Sequence, residues 1–147
     1  MSARLRIAMA LLAALLGPGL CTAGDLAGAE LPSGGLLSGG SLATVGQHGT
    51  MNTIAADQRG GEHRLSASQR GRQNTAKVVQ AGAANAVELE QVGKGNQATV
   101  VQDGAGNSAF VDQHGNANSA RIEQHGHDAS ARVTQNGDGK RVTVIQH

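Results

Sequence analysis

Glutamine recurs every eleven residues, at Gln47, Gln58, Gln69, Gln80, Gln91, Gln102, Gln113, Gln124, Gln135 and Gln146, without an exception. A short fixed period marks a repeat architecture, in which each unit buries its face only against its neighbours. Two further markers keep the register. Glycine follows two positions after each of the first nine glutamines, at Gly49, Gly60, Gly71, Gly82, Gly93, Gly104, Gly115, Gly126 and Gly137. Asparagine precedes by six at Asn52, Asn74, Asn85, Asn96, Asn107 and Asn118, while His63, Ala129 and Lys140 interrupt that series. The unit reads Asn-x-Ala-x-Val-x-Gln-x-Gly-x-x.

Within a unit the marked residues fall at every second position, the side-chain period of a strand, and so share one face. Two before glutamine stand Val45, Val78, Leu89, Val100, Val111, Ile122, Val133 and Val144, with Ala56 and Ala67 as smaller exceptions. The positions between include Thr53, Lys77, Glu88, Asp112, Arg121 and Glu123, which belong in water. An eleven-residue period also suits a right-handed coiled coil. A glycine in every unit, at about 1 kcal/mol each inside a helix, argues against that, as does the strict alternation.

The expected fold is therefore all-β: a β-solenoid of ten units over residues 41–147, two units per rung and five rungs. Each unit is a strand of six or seven residues and a four-residue turn, with glycine taking the positive φ of a tight arc. At about 4.8 Å per rung the body is roughly 25 Å tall. One wall carries the units ending at Gln47, Gln69, Gln91, Gln113 and Gln135, the other those ending at Gln58, Gln80, Gln102, Gln124 and Gln146. Buried glutamine and asparagine amides then bond along the axis as ladders, which offsets their desolvation. Asn74 to Gln124 is the most regular stretch.

Composition decides against a conventional core. One phenylalanine, Phe110, no Trp and no Tyr accompany 22 glycines, so the large side chains that fill a globular interior are missing. The same bias would suit disorder, but an unbroken register does not.

Residues 1–23 read as a secretory signal peptide. Arg4 and Arg6 precede an apolar run from Ile7 to Leu16, Gly17-Pro18 ends the helix expected there, and Cys21-Thr22-Ala23 offers small residues for cleavage. The run is short for a membrane span. Cys21, the only cysteine, leaves with it, so the expected mature chain has no disulfide or thiolate ligand. Ten basic residues then face eleven acidic ones, a balance that does not suit a nucleic-acid binder. Residues 24–40, rich in Gly and Ser, read as a flexible export or docking segment.

The Gln-x-Gly-x-x-Asn-x-Ala unit, from about Ser41 to Gln146, resembles the curlin repeat. That resemblance implies a secreted subunit of curli, amyloid fibres attached to the bacterial outer surface as a fimbrium and serving adhesion and biofilm. The implied partners are itself, a major curlin subunit, an outer-membrane secretion pore and accessory factors. The start Gly24-Asp25-Leu26-Ala27-Gly28-Ala29-Glu30-Leu31 and the segment Gly46 to Asn52 are more similar to the minor, nucleating curlin than to the major one. So is the basic end formed by Arg132, Lys140 and Arg141, which in the minor type is associated with holding the nucleator at the cell surface. A charged end that discourages uncontrolled stacking explains the same residues equally well.

An enzyme is not indicated: no triad, phosphate loop or cofactor motif stands out, and no small-molecule substrate is implied. His48, His114 and His125 follow the repeat glutamine, with His127 and His147 nearby, and a metal stripe is the alternative to turn decoration. No metal or other cofactor is assigned. A monomeric binding solenoid of the ice-binding kind would need a flat array of outward threonine, whereas the outward positions mix Lys, Glu, Asp, Arg and Ser.

Overall fold

The computed structural model describes residues 40–147 and, before them, the backbone of Arg4–Ala10 and Cys21–Thr22. The rest of the expected signal peptide and, Gly40 apart, the expected flexible segment lie outside the described residues. The described residues are all-β. In chain order the strands are β1 (Arg4–Ala10), β2 (Cys21–Thr22), β3 (Leu42–Thr50), β4 (Thr53–Gly61), β5 (Arg64–Arg72), β6 (Thr75–Ala83), β7 (Ala86–Lys94), β8 (Gln97–Ala105), β9 (Ser108–Asn116), β10 (Ser119–His127), β11 (Ser130–Asn136) and β12 (Arg141–Gln146).

Ten of these, β3 to β12, wind a five-rung solenoid. Alternate strands go to opposite walls, in the orders β3-β5-β7-β9-β11 and β4-β6-β8-β10-β12. All pairings within each wall are parallel and in register by 22 residues, so Gln91 lies beside Gln113 and Gln80 beside Gln102. The period of two sets this register: a one-residue slip would turn every Val and Gln outward.

The space between the walls is narrow because its filling is small. Ile54, Leu65, Val78, Val87, Leu89, Val100, Val111, Ile122 and Val133 alternate with Ala56, Ala67, Ala76, Ala98, Ala109, Ala120 and Ala131, all buried. Each fully buried Val, Leu or Ile contributes about 1.5–3 kcal/mol, and alanine lets the backbones approach. Phe110 stands on an outer face, where the Arg132 guanidinium lies 4.3 Å from its ring centre.

Two features differ from the sequence expectation. Strands β3 to β10 have nine residues and continue through the repeat glycine, leaving two-residue links where a four-residue turn was expected. The arc is spread over two points. The repeat glycines have φ between 103° and 128°, and a second left-handed residue follows two later, at Met51, Glu62, Gln73, Ala84, Gly95, Gly106, Ala117, Asp128 and Gly139. Strand pairing thus carries into the bend, where parallel hydrogen bonds still form.

The second difference concerns the expected signal segment, two stretches of which pair along the edges of the first rung. There β1 runs antiparallel to β4, with Ile7 opposite Ala56, and β2 pairs with β3 at Cys21 and Gln47. Arg4–Ala10, where the signal reading places the start of a helix, is extended, because the unpaired groups of β4 offer a ladder to an apolar segment.

Candidate functional site

The chemistry-bearing residues of this chain lie in columns along the solenoid axis. In each wall a glutamine side chain projects inward from every strand, and Gln69, Gln80, Gln91, Gln102, Gln113 and Gln124 are fully buried. Each Nε2 donates to the Oε1 of the glutamine one rung on, at 2.6–3.0 Å, from Gln47 through to Gln135 and from Gln58 through to Gln146. The second Nε2 hydrogen crosses to a backbone carbonyl of the opposite wall, as from Gln91 to Thr75 O at 3.2 Å and from Gln102 to Ala86 O at 3.0 Å. Burial is thereby compensated at both donors, and the ladder has a direction: donors face the C-terminal end and acceptors the N-terminal end.

Asparagine closes the links between walls. Asn74, Asn85, Asn96, Asn107 and Asn118 are buried in the bends. Asn74 Nδ2 donates to Arg70 O of the strand before it and to Gly93 O of the next rung, both at 3.1 Å. Its Oδ1 accepts the backbone N–H of Asn96 at 3.0 Å. Asn52, Asn96 and Asn118 repeat the pattern of donation. One side chain satisfies two carbonyls and one amide that the tight bend leaves without strand partners.

The other asparagine column begins Ser41, His63, and here the expected interruption at His63 is corrected. Ser41 Oγ accepts the N–H of His63 at 3.2 Å. His63 Nδ1 accepts the N–H of Asn85 at 3.3 Å, and His63 Nε2 lies 3.0 Å from Arg59 O. The ring reproduces the accepting role of the amide and one of its two donations. Neither Ser41 nor His63 was identified from sequence as a ladder residue; the only signal was that each can accept a hydrogen bond at the asparagine register.

At the other end the interruption is real. Ala129 N donates to Asn107 Oδ1 and Lys140 N to Asn118 Oδ1, each at 3.0 Å, but neither Ala129 nor Lys140 has a side-chain oxygen to offer onward.

The glycine column, from Gly49 to Gly137, sits where successive bends touch. A Cβ on Gly93 would lie 1.9 Å from Gly115 O, and Gly49, Gly60, Gly71, Gly82 and Gly104 stand as close to the next glycine. Absence of a side chain, as much as positive φ, fixes glycine here. Beside Gly137 the space that the next glycine takes elsewhere holds the Lys140 side chain, with Cε 3.6 Å from the Cβ position.

Of the basic residues at the C-terminal end, Arg132 lies over Phe110, whereas Lys140 and Arg141 are exposed. The histidines divide between walls. His48 and His114 are on the β3–β11 side and His125 and His147 on the other, stacked at 5.7 Å. His114 Nε2 lies 2.9 Å from Asp112. Among the described residues no three His, Cys, Asp or Glu side chains meet in a way that could hold a metal.

The arrangement binds backbone to backbone along one axis, and its repeat matches a known family. The curlin associated repeat matches residues 82–115 and 115–147. No curated protein matches the chain. The matched stretches cover strands β7 to β12, and the same glutamine, glycine and asparagine contacts extend back through β3, so this chain belongs to the curlin family.

Proposed function

We propose that this chain is a structural subunit of extracellular curli fibres, and within them the minor subunit that nucleates polymerisation of a major curlin at the bacterial surface. The observation that carries the fibre role is the directional amide ladder. Two parallel sheets and their glutamine columns run through all five rungs, so another chain with the same repeat extends both without a change of register. Such in-register stacking, with side-chain amides bonded along the axis, is the chemistry of cross-β fibres.

The minor role rests on residues particular to this chain: the start Gly24 to Leu31, the segment Gly46 to Asn52, and the basic end Arg132, Lys140 and Arg141. On this reading residues 1–23 direct export and are removed, an outer-membrane pore with accessory factors passes the chain, and the fibres serve adhesion and biofilm. No catalytic step, cofactor or nucleic acid enters.

Seeding tests it. A trace of this protein should abolish the lag of a major curlin and should remain with the cells when that partner is absent. A lag unchanged at every ratio would leave the chain as a major subunit or as no fibre protein at all.

A further inference from the structure

Resting on the fibre-subunit reading, we infer that this chain stacks with opposite competence at its two ends: the rung of β3 and β4 accepts a neighbour, and the rung of β11 and β12 stops growth. The neighbour is the terminal rung of another curlin-repeat chain that carries asparagine at both ladder positions.

The ladders define what a neighbour must supply. In the interior, an asparagine oxygen accepts the N–H of the ladder residue one rung on, as Asn74 does for Asn96 and Asn85 for Asn107. Ser41 and Asn52 have no such predecessor in the repeat, so their acceptor comes from outside it. Gln58 Oε1 makes the same demand, being buried with no hydrogen-bond partner among the described residues. A rung ending in Gln and Asn on both walls meets all these needs.

The β11–β12 rung cannot do this for a second copy of its own chain. Gln135 and Gln146 are in place, but Ala129 and Lys140 fill both asparagine positions of that rung. A copy stacked there leaves the N–H groups of its Ser41 and Asn52 buried without acceptors. Lys140 adds an obstacle, because its side chain occupies the space over Gly137 into which a following glycine must pack. Stacking must expel that ammonium or bury it.

The β3–β4 rung is the one that attracts strands within the chain. Both of its edges are paired, by β2 and β1. Loss of residues 1–23, as expected of an exported precursor, frees them.

The variant A129N/K140N completes the missing positions and serves as the probe. Wild-type and variant protein are recovered from cells expressing the full chain, folding is compared by circular dichroism, and growth is followed at single fibre ends. The variant should polymerise about tenfold faster than wild type, the factor expected when an unpaired buried amide gains its partner. Wild-type monomer, added in small amount to growing variant fibres, should arrest one end and leave the other growing. Equal polymerisation by folded variant and wild type, or variant fibres growing at both ends despite wild-type monomer, overturns the inference. No major curlin is present, so failure of the nucleator reading leaves these rates untouched.

Discussion

His63 Nδ1 accepts the backbone N–H of Asn85 at 3.3 Å, the place that an asparagine oxygen takes between Asn85 and Asn107. The ring is 1% exposed and its Nε2 meets Arg59 O at 3.0 Å, which fits the tautomer protonated on Nε2. His63→Asn should therefore preserve stability. His63→Leu removes both contacts and leaves a buried N–H unpaired, for a loss of about 1–3 kcal/mol. Denaturant unfolding of the two variants checks this; equal stability would show that the histidine only fills space.

The fold was legible because the chain states it ten times. Spacing by eleven gave the walls, and alternation by two gave the inward face. His63 was not legible, since its likeness to asparagine lies in where two ring nitrogens fall, not in residue class. Nor was the second left-handed position, where φ of 54–61° is held by Met51, Glu62, Gln73, Ala84, Ala117 and Asp128. These residue types share no turn signature, and only Gly95, Gly106 and Gly139 mark the site. Ala129 and Lys140 were visible as departures, but their consequence depends on which way the amides point.

Gly93→Ala tests the contact between bends. The added Cβ lies 1.9 Å from Gly115 O, at φ +123°, and backbone on both sides must move. A cost above about 3 kcal/mol is expected, enough to open the rung. Gly46 is the control, with nothing within 4 Å of its Cβ position. Gly46→Ala should be neutral or stabilising within about 1 kcal/mol. Thermal unfolding compares them, and similar losses in both would refute the steric account.

Gln91→Leu adds apolar volume to the core, so a purely hydrophobic account predicts faster assembly. Gln91 Nε2 donates to Gln113 and Thr75, and its Oε1 accepts from Gln69 at 2.6 Å. Leucine leaves these groups without partners at about 1–3 kcal/mol, more than the side chain gains by apolar burial in a space already filled. Polymerisation followed by light scattering should slow, and should slow likewise for Gln102→Leu. Val92→Leu, outside the core on the same strand, should leave it unchanged. Faster assembly by the glutamine variants would mean that the ladder contributes nothing net.

The basic end can be divided between packing and anchoring. Arg132 is engaged with Phe110 at 4.3 Å, an exposed cation–π contact of about 0.5–1 kcal/mol, so Arg132→Ala should loosen β11 while leaving retention at the cell surface nearly intact. Lys140 and Arg141 are exposed and have no comparable ring contact among the described residues, so K140A/R141A should leave the solenoid stable and release protein into the medium. On the nucleator reading proposed above, the attraction they supply is electrostatic and screened over about 8 Å at physiological salt, so added salt should release the wild type and change the double variant little. The fraction in cell pellet and medium, measured against salt, reads both effects. Retention lost in Arg132→Ala alone would transfer the anchoring role to the face of the sheet, where Arg132 and Phe110 meet.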